Sequence, residues 1–137
     1  MPKKRQTITG LVNKAATFLQ KIVRLKAAVK TGGVIQCVTC GVWKDWRDMQ
    51  GGHFIKRQHK KWTLVEENIH PQCPRCNQFL GGNDSAYALY MIDTYGRDFV
   101  DEMIATKTEP RKYTRVELEE LIKELRQQAR ELEGQVA

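Results

Sequence analysis

Asn68-Ile69-His70-Pro71-Gln72-Cys73-Pro74-Arg75-Cys76-Asn77 decides how this chain folds, because its second half, Cys73-x-x-Cys76, answers an earlier Cys37-Val-Thr-Cys40 across 32 intervening residues. All four cysteines of the chain belong to these pairs. A two-residue spacing lets both thiolates of a pair face one ion, and two such pairs complete a tetrahedral zinc site. Four sulfur ligands leave no open coordination position, so the zinc expected on Cys37, Cys40, Cys73 and Cys76 is structural. It would contribute on the order of 10 kcal/mol of folding energy. Two disulfides are the competing account, disfavoured by the reducing compartment expected below. A redox dithiol would need only one pair.

Residues 34–82 hold all four cysteines, all three histidines, all three tryptophans and five of the ten glycines, which marks them as the chemical part of the chain. Val34-Ile-Gln and His53-Phe-Ile read as short strands between Gly-Gly and Cys-x-x-Cys turns. Their apolar content is too thin for a core, so a metal or flanking helices must hold the segment. On the amino-terminal side, Leu11, Ala15, Phe18, Leu19, Ile22 and Val29 recur at helical steps and predict a helix over 10–30, stopped by Gly32-Gly33. On the other side, Asn83 or Asp84 can cap a helix through Tyr95, and a shorter one follows around 97–105. Thr114-x-x-Glu117 is a capping box for a helix to about Glu133, with Gly134 as its stop. Its stripe of Leu118, Leu121, Ile122, Leu125 and Leu132 suits packing on the chain's own core, or a homodimer contact. The expected fold is α+β and mostly helical, one compact domain with a basic amino-terminal helix (1–33), a zinc-bound core (34–83) and a helical extension (84–137).

The net charge of +7 is unevenly placed. Lys3, Lys4, Arg5, Lys14, Lys21, Arg24, Lys26 and Lys30 fall among residues 1–30, which carry no acidic side chain; residues 31–82 sum to +3 and 83–137 to −4. Such a field suits a polyanion, with nucleic acid first, because each phosphate neutralised by Lys or Arg releases a counterion. Lys14, Lys21 and Arg24, with Lys56, Arg57, Lys60 and Lys61 after His53, are the expected DNA contacts; Arg57 has the planar fork suited to a scissile phosphate. With 41% hydrophobic and 28% charged residues, and no apolar run near the ~18 residues of a membrane span, neither membrane nor secretory signal is expected, and the chain is placed in the cytoplasm.

Gly51-Gly52-His53-Phe54, Asn68-x-His70-x-Gln72-Cys73-x-x-Cys76-Asn77 and Gly82-Asn83 occur in that order. The arrangement resembles the His-Asn-His (HNH) nucleases with a ββα-metal motif, is similar to the phage endonuclease VII family, and is closer still to the phage NinG/Rap recombination nucleases. The resemblance covers residues 37–83. It implies a zinc-stabilised ββα-metal core with His53 as general base, Asn68 as a loop-fixing residue and Asn77 as oxygen ligand to a catalytic Mg2+ or Mn2+. It also implies branched, flap or junction DNA as substrate in a phage-infected or prophage-carrying bacterium, with phage recombination proteins as candidate partners.

Phosphodiester hydrolysis needs a base, a cation and a rigid frame. Imidazole titrates near neutrality and hard cations favour oxygen. In endonuclease VII the residue before the catalytic His is an Asp metal ligand; here it is Gly52. His70, brought opposite His53 by a second strand, is the expected substitute, with Asn83, Asp48 and His59 behind it. Two alternatives stand beside this reading: a non-catalytic zinc module binding DNA or a recombination protein, and an HNH nuclease specific for double strands.

Overall fold

A computed structural model of the chain describes residues 5–136. Lys3 and Lys4, part of the basic amino-terminal stretch, lie outside the described residues. Along the chain run α1 (Ile8–Thr31), β1 (Val34–Gln36), β2 (Trp43–Asp45), β3 (Gln50–His53), a single turn α2 (Lys60–Thr63), β4 (Ile69–Gln72), a π-type turn (Arg75–Phe79), α3 (Asp84–Tyr95), α4 (Arg97–Thr106) and α5 (Arg115–Gln135). The result is mostly helical α+β with two small sheets. No helix among the described residues is long and apolar enough to cross a membrane.

α1 starts where the Thr7 hydroxyl accepts from Gly10 N–H, and it ends at Gly32, whose left-handed backbone (φ 84°) only glycine adopts at little cost. α5 opens on the capping box expected at Thr114 and Glu117. It runs through Gly134, so that glycine is not a stop. Leu118, Ile122, Leu125 and Ala129 of α5 are buried together with Leu11, Val12, Ala15, Leu19 and Ile22 of α1, and Ile69 of β4 enters the same cluster. Each large aliphatic side chain taken from water there contributes about 1.5–3 kcal/mol. The apolar stripe of α5 thus packs within its own chain.

β1 and β2 form an antiparallel hairpin, with Ile35 opposite Lys44, and the first Cys-x-x-Cys forms its loop. β3 and β4 pair antiparallel, with His53 opposite Ile69 and Gly52 opposite His70. His53 therefore ends its strand, and the strand expected from His53 onward lies instead on its amino-terminal side. Gly51 and Gly52, expected as a turn, are strand residues. A Cβ on Gly51 would lie 2.6 Å from Gln20 Cβ of α1, and one on Gly52 would lie 1.7 Å from Gln72 Oε1. Tertiary closeness, not turn geometry, demands glycine at both positions.

Phe54 and Ile55 leave the sheet and bury with Trp62, Tyr87, Met91, Val100 and Met103, joining the loop after β3 to α3 and α4. Ala28, Ile35 and Met49 bury three of the four cysteines, Cys37, Cys73 and Cys76. The chemical segment is thus walled by α1 and α5 on one side and by α3 and α4 on the other.

Candidate functional site

The four cysteine sulfurs all lie within 4.8 Å of one another. Cys40 and Cys73, from different pairs, are 3.7 Å apart, against about 2.05 Å for a disulfide. A tetrahedron of thiolates with zinc–sulfur bonds of about 2.3 Å has edges near 3.8 Å, so the cluster can hold a zinc ion. All four cysteines are free thiols. Burial would raise Cys37, but hydrogen bonds from the Thr39 side chain and from backbone N–H groups outweigh it and pull the thiol down to about 6. For Cys40, the exposed member of the four, the Val42 backbone alone would lower the pKa, yet partial desolvation and the three neighbouring sulfurs push it up to about 12. The cluster favours the Cys37 thiolate while Cys40 and Cys73 are pushed up, and a central divalent cation would remove the repulsion between neighbouring thiolates.

His53 projects from the end of β3 into a cleft of about 320 Å3 lined also by Gln20, Gly51, Lys56, Arg57, Gln58, Asn77 and Gly81. Its Nε2 lies 2.9 Å from the Thr63 carbonyl oxygen. A carbonyl only accepts, so Nε2 carries the proton and the lone pair sits on Nδ1. His53 is 6% exposed. Burial, aided by the charges of Arg57 and Lys56, lowers its pKa to about 4 despite the Thr63 bond. The neutral imidazole is therefore the form present at pH 7.

Asn77 sits in the π-type turn, its N–H bonded to the Cys73 carbonyl. That turn is short and is followed by Gly81-Gly82, so Asn77 rides on a single turn separate from α3. Asn77 Nδ2 donates to Gln50 Oε1 at 2.7 Å, which leaves Oδ1 as an acceptor. An amide oxygen is a ligand that hard cations accept, though Mg2+ sites ordinarily add one or two carboxylates to it. No carboxylate lines the cleft among the described residues.

Asn68 is fully buried and does not face the cleft. Its Oδ1 accepts from Ile55 N–H, and its Nδ2 donates to the Ile55 and Trp62 carbonyls. It closes the loop that carries Lys56 and Arg57 and fixes the residue before Thr63.

His70 is not brought to His53. Directly opposed residues share a face, and His70 opposes Gly52, so it points to the other side of the sheet. There Tyr87 and Tyr95 hydroxyls engage Nδ1 at 3.1 Å and Nε2 at 2.7 Å. Asn83 turns its amide to Cys76 Sγ, while His59 at the α2 cap and Asp48 before β3 are absent from the cleft lining.

The expected DNA contacts divide. Lys56 and Arg57 line the cleft; Lys56 bonds Gly81 O and Asp84, and Arg57 bonds Asn13 Oδ1. Arg24 is corrected: its guanidinium turns inward to the Trp46 and Met49 carbonyls and ties α1 to the chain entering β3. Lys21 pairs with Glu133, Lys61 with Glu109, and Lys60 donates to the Arg57 carbonyl. Lys14 lines a separate hollow beside α5. Thr63, Gln50 and Gln20 also belong to the site, without having been expected from the sequence. Thr63 acts through its backbone, which leaves no residue signal.

The family described as Bacteriophage Lambda NinG protein matches residues 3–135. The chain is similar to Protein ninG of Escherichia phage 933W, 30% identical over 69 residues that cover 50% of this chain and 34% of that protein. It is also similar to Protein ninG of Escherichia phage lambda, 28% identical over 98 residues covering 67% and 48%. The matched stretches thus span about a third to a half of those relatives' length. No solved structure matches.

Proposed function

This chain belongs to the NinG family of bacteriophage lambda, and on that premise we propose that it is a metal-dependent DNA endonuclease with an HNH-like, ββα-metal core pinned by a structural zinc. The observation that carries the reading is one cleft in which His53, with its lone pair on Nδ1, stands with Asn77, Lys56 and Arg57. The order β3, β4, then the turn bearing Asn77 supports the ββα reading. Branched, flap or junction DNA in phage recombination, inside the bacterial host, is the substrate proposed from the family resemblance.

In this mechanism His53 Nδ1 takes a proton from a water whose oxygen attacks the phosphorus in line. Thr63 O holds the ring and stabilises the imidazolium that forms. Arg57 and Lys56 bind non-bridging phosphate oxygens and so orient the bond. A Mg2+ or Mn2+ held by Asn77 Oδ1 and phosphate oxygens would supply charge neutralisation at the departing 3′ oxygen. The 3′ oxygen is protonated from solvent, His53 returns its proton to water, and the product carries a 5′ phosphate.

The cleft's lack of a carboxylate favours the rival reading, a zinc module that binds DNA or a recombination protein without cutting. The test is nicking of labelled four-way junction, flap, linear duplex and single-stranded DNA with Mg2+ or Mn2+. His53→Ala should lose about 100- to 10,000-fold in rate, with binding retained. Equal cutting by both proteins rejects His53 as base, binding without cutting by the unmutated chain supports the rival, and preference for linear duplex points to a double-strand-specific nuclease.

A further inference from the structure

Residues 83–137 are acidic in sum, yet α5 sorts its charges into two stripes. Glu117, Glu120 and Glu124 border a hollow shared with Lys61 and Arg111. Arg115, Lys123 and Arg126, spaced so as to share another helical stripe, border a different hollow of about 260 Å3 with Arg5 and Lys14 of the amino-terminal wall. Glu119 is the one carboxylate in that lining. Leu11 and Ile122 form its floor.

Two of these cations are held in place. Arg126 stacks over the Phe18 ring at 5.5 Å, and Arg115 donates to the Gln6 carbonyl at 2.6 Å. The hollow and the cleft meet neighbouring residues of α1: Arg57 of the cleft bonds Asn13, and Lys14 lines the hollow. Of the α1 cations expected to grip DNA, Lys14 faces this hollow, while Lys21 and Arg24 are engaged within the chain.

We infer that the hollow between the first turns of α1 and the cationic stripe of α5 is a second phosphate-backbone subsite, which takes the DNA arm flanking the bond addressed by the His53 cleft. The occupant follows from charge: five cations line the hollow against one carboxylate, Glu119, which faces Arg115 at 3.8 Å, and the surplus complements a backbone that carries one charge per about 1.7 Å of duplex axis. Backbone contacts of this kind fix register and orientation without reading sequence. The inference rests on the DNA-cutting reading for the identity of its partner, but it predicts binding, not chemistry.

The test is anisotropy of fluorescein-labelled junction and duplex DNA between about 50 and 200 mM KCl, in the His53→Ala background and without added divalent cation. Lys123→Ala with Arg126→Ala should weaken binding at low salt and flatten the slope of log affinity against log salt by about 2, near one unit for each phosphate no longer neutralised. Lys123→Glu alone should weaken it in the same direction, and Arg97→Ala, outside the hollow, should leave the slope unchanged. An unchanged slope in folded double variant and charge reversal overturns the subsite, even if the unmutated chain nicks DNA. A flattened slope supports it even if no substrate is cut, in which case the endonuclease reading fails alone.

Discussion

His53 donates from Nε2 to the Thr63 carbonyl oxygen, a 2.9 Å bond from the end of β3 to the end of α2. The bond fixes both the tautomer and the tilt of the ring, so whatever places Thr63 also places the base. Thr63 is placed twice over: its own hydroxyl bonds the Arg57 and His59 carbonyls, and Asn68 bonds the Trp62 carbonyl just before it.

Asn68→Ala should therefore act on the cleft from a distance. It removes three buried hydrogen bonds and leaves the Ile55 N–H and the Ile55 carbonyl unsatisfied, while the Trp62 carbonyl keeps the Val65 N–H, which costs about 2–4 kcal/mol. Below its lowered melting temperature the variant should still cut more slowly than the unmutated chain. Nitrogen-15 NMR of the His53 ring should show loss of the single Nε2–H tautomer. Retention of that tautomer with normal stability would refute the positioning role.

Acid should destabilise the fold in a window set by two rings. Burial holds both His53 and His70 at about 4, while an unfolded histidine titrates near 6.5. Between those values the unfolded chain binds more protons, so stability is greatest above pH 6.5, declines as pH falls toward 4, and levels off below. Each ring contributes up to about 3 kcal/mol across that window. Urea unfolding at pH 7, 5.5 and 4.5 should show the decline, and His70→Gln should remove part of it. Equal midpoints at all three pH values would mean that the rings are not held neutral by burial.

What the sequence made legible is local. The capping box, the glycine after Thr31, the apolar spacing of α1 and the two Cys-x-x-Cys pairs each carry their signal within a few residues. The side of the sheet that His70 faces depends on the pairing of Gly52 with His70, which no single stretch contains. Arg24 reads as a surface cation because its partners, the Trp46 and Met49 carbonyls, are backbone atoms more than twenty positions away. Gly51-Gly52 reads as a turn until Gln20 and Gln72 are seen against it. The two stripes of α5 were readable from helical spacing, but segment totals of charge conceal them.

The thiol cluster should bind one zinc per chain. Asn77 N–H bonds the Cys73 carbonyl, so losing the metal should disturb the cleft as well as the fold. Cys73→Ser should lower zinc content measured by atomic emission and reduce the melting temperature, since zinc binding in such sites is linked to folding by on the order of 10 kcal/mol. Cobalt substituted for zinc should give the sulfur-to-metal charge-transfer band of four thiolates. Four thiols that react freely with a thiol reagent in the freshly isolated native protein would exclude the site.

Placing a carboxylate at Gly52, beside His53, should harm this chain. A Cβ there would lie 1.7 Å from Gln72 Oε1 and 2.6 Å from its Cδ. Gln72 cannot swing aside cheaply: it is fully buried, and its Nε2 donates to Gly82 O at 2.8 Å and to Thr39 Oγ1 at 3.2 Å. Gly52→Asp must break those bonds or bend β3, and it buries a carboxylate beside an amide oxygen that already has no hydrogen-bond partner. Overpacking and an unpaired buried charge together cost about 2–4 kcal/mol or more. The single variant should melt lower and bind Mn2+ no better, as read by electron paramagnetic resonance. Adding Gln72→Ala removes the obstructing amide, so the double variant should recover part of the stability lost by Gly52→Asp. A single variant as stable as the parent and tighter for Mn2+ would show that the space opposite Gly52 is open and that Gln72 does not exclude a carboxylate there.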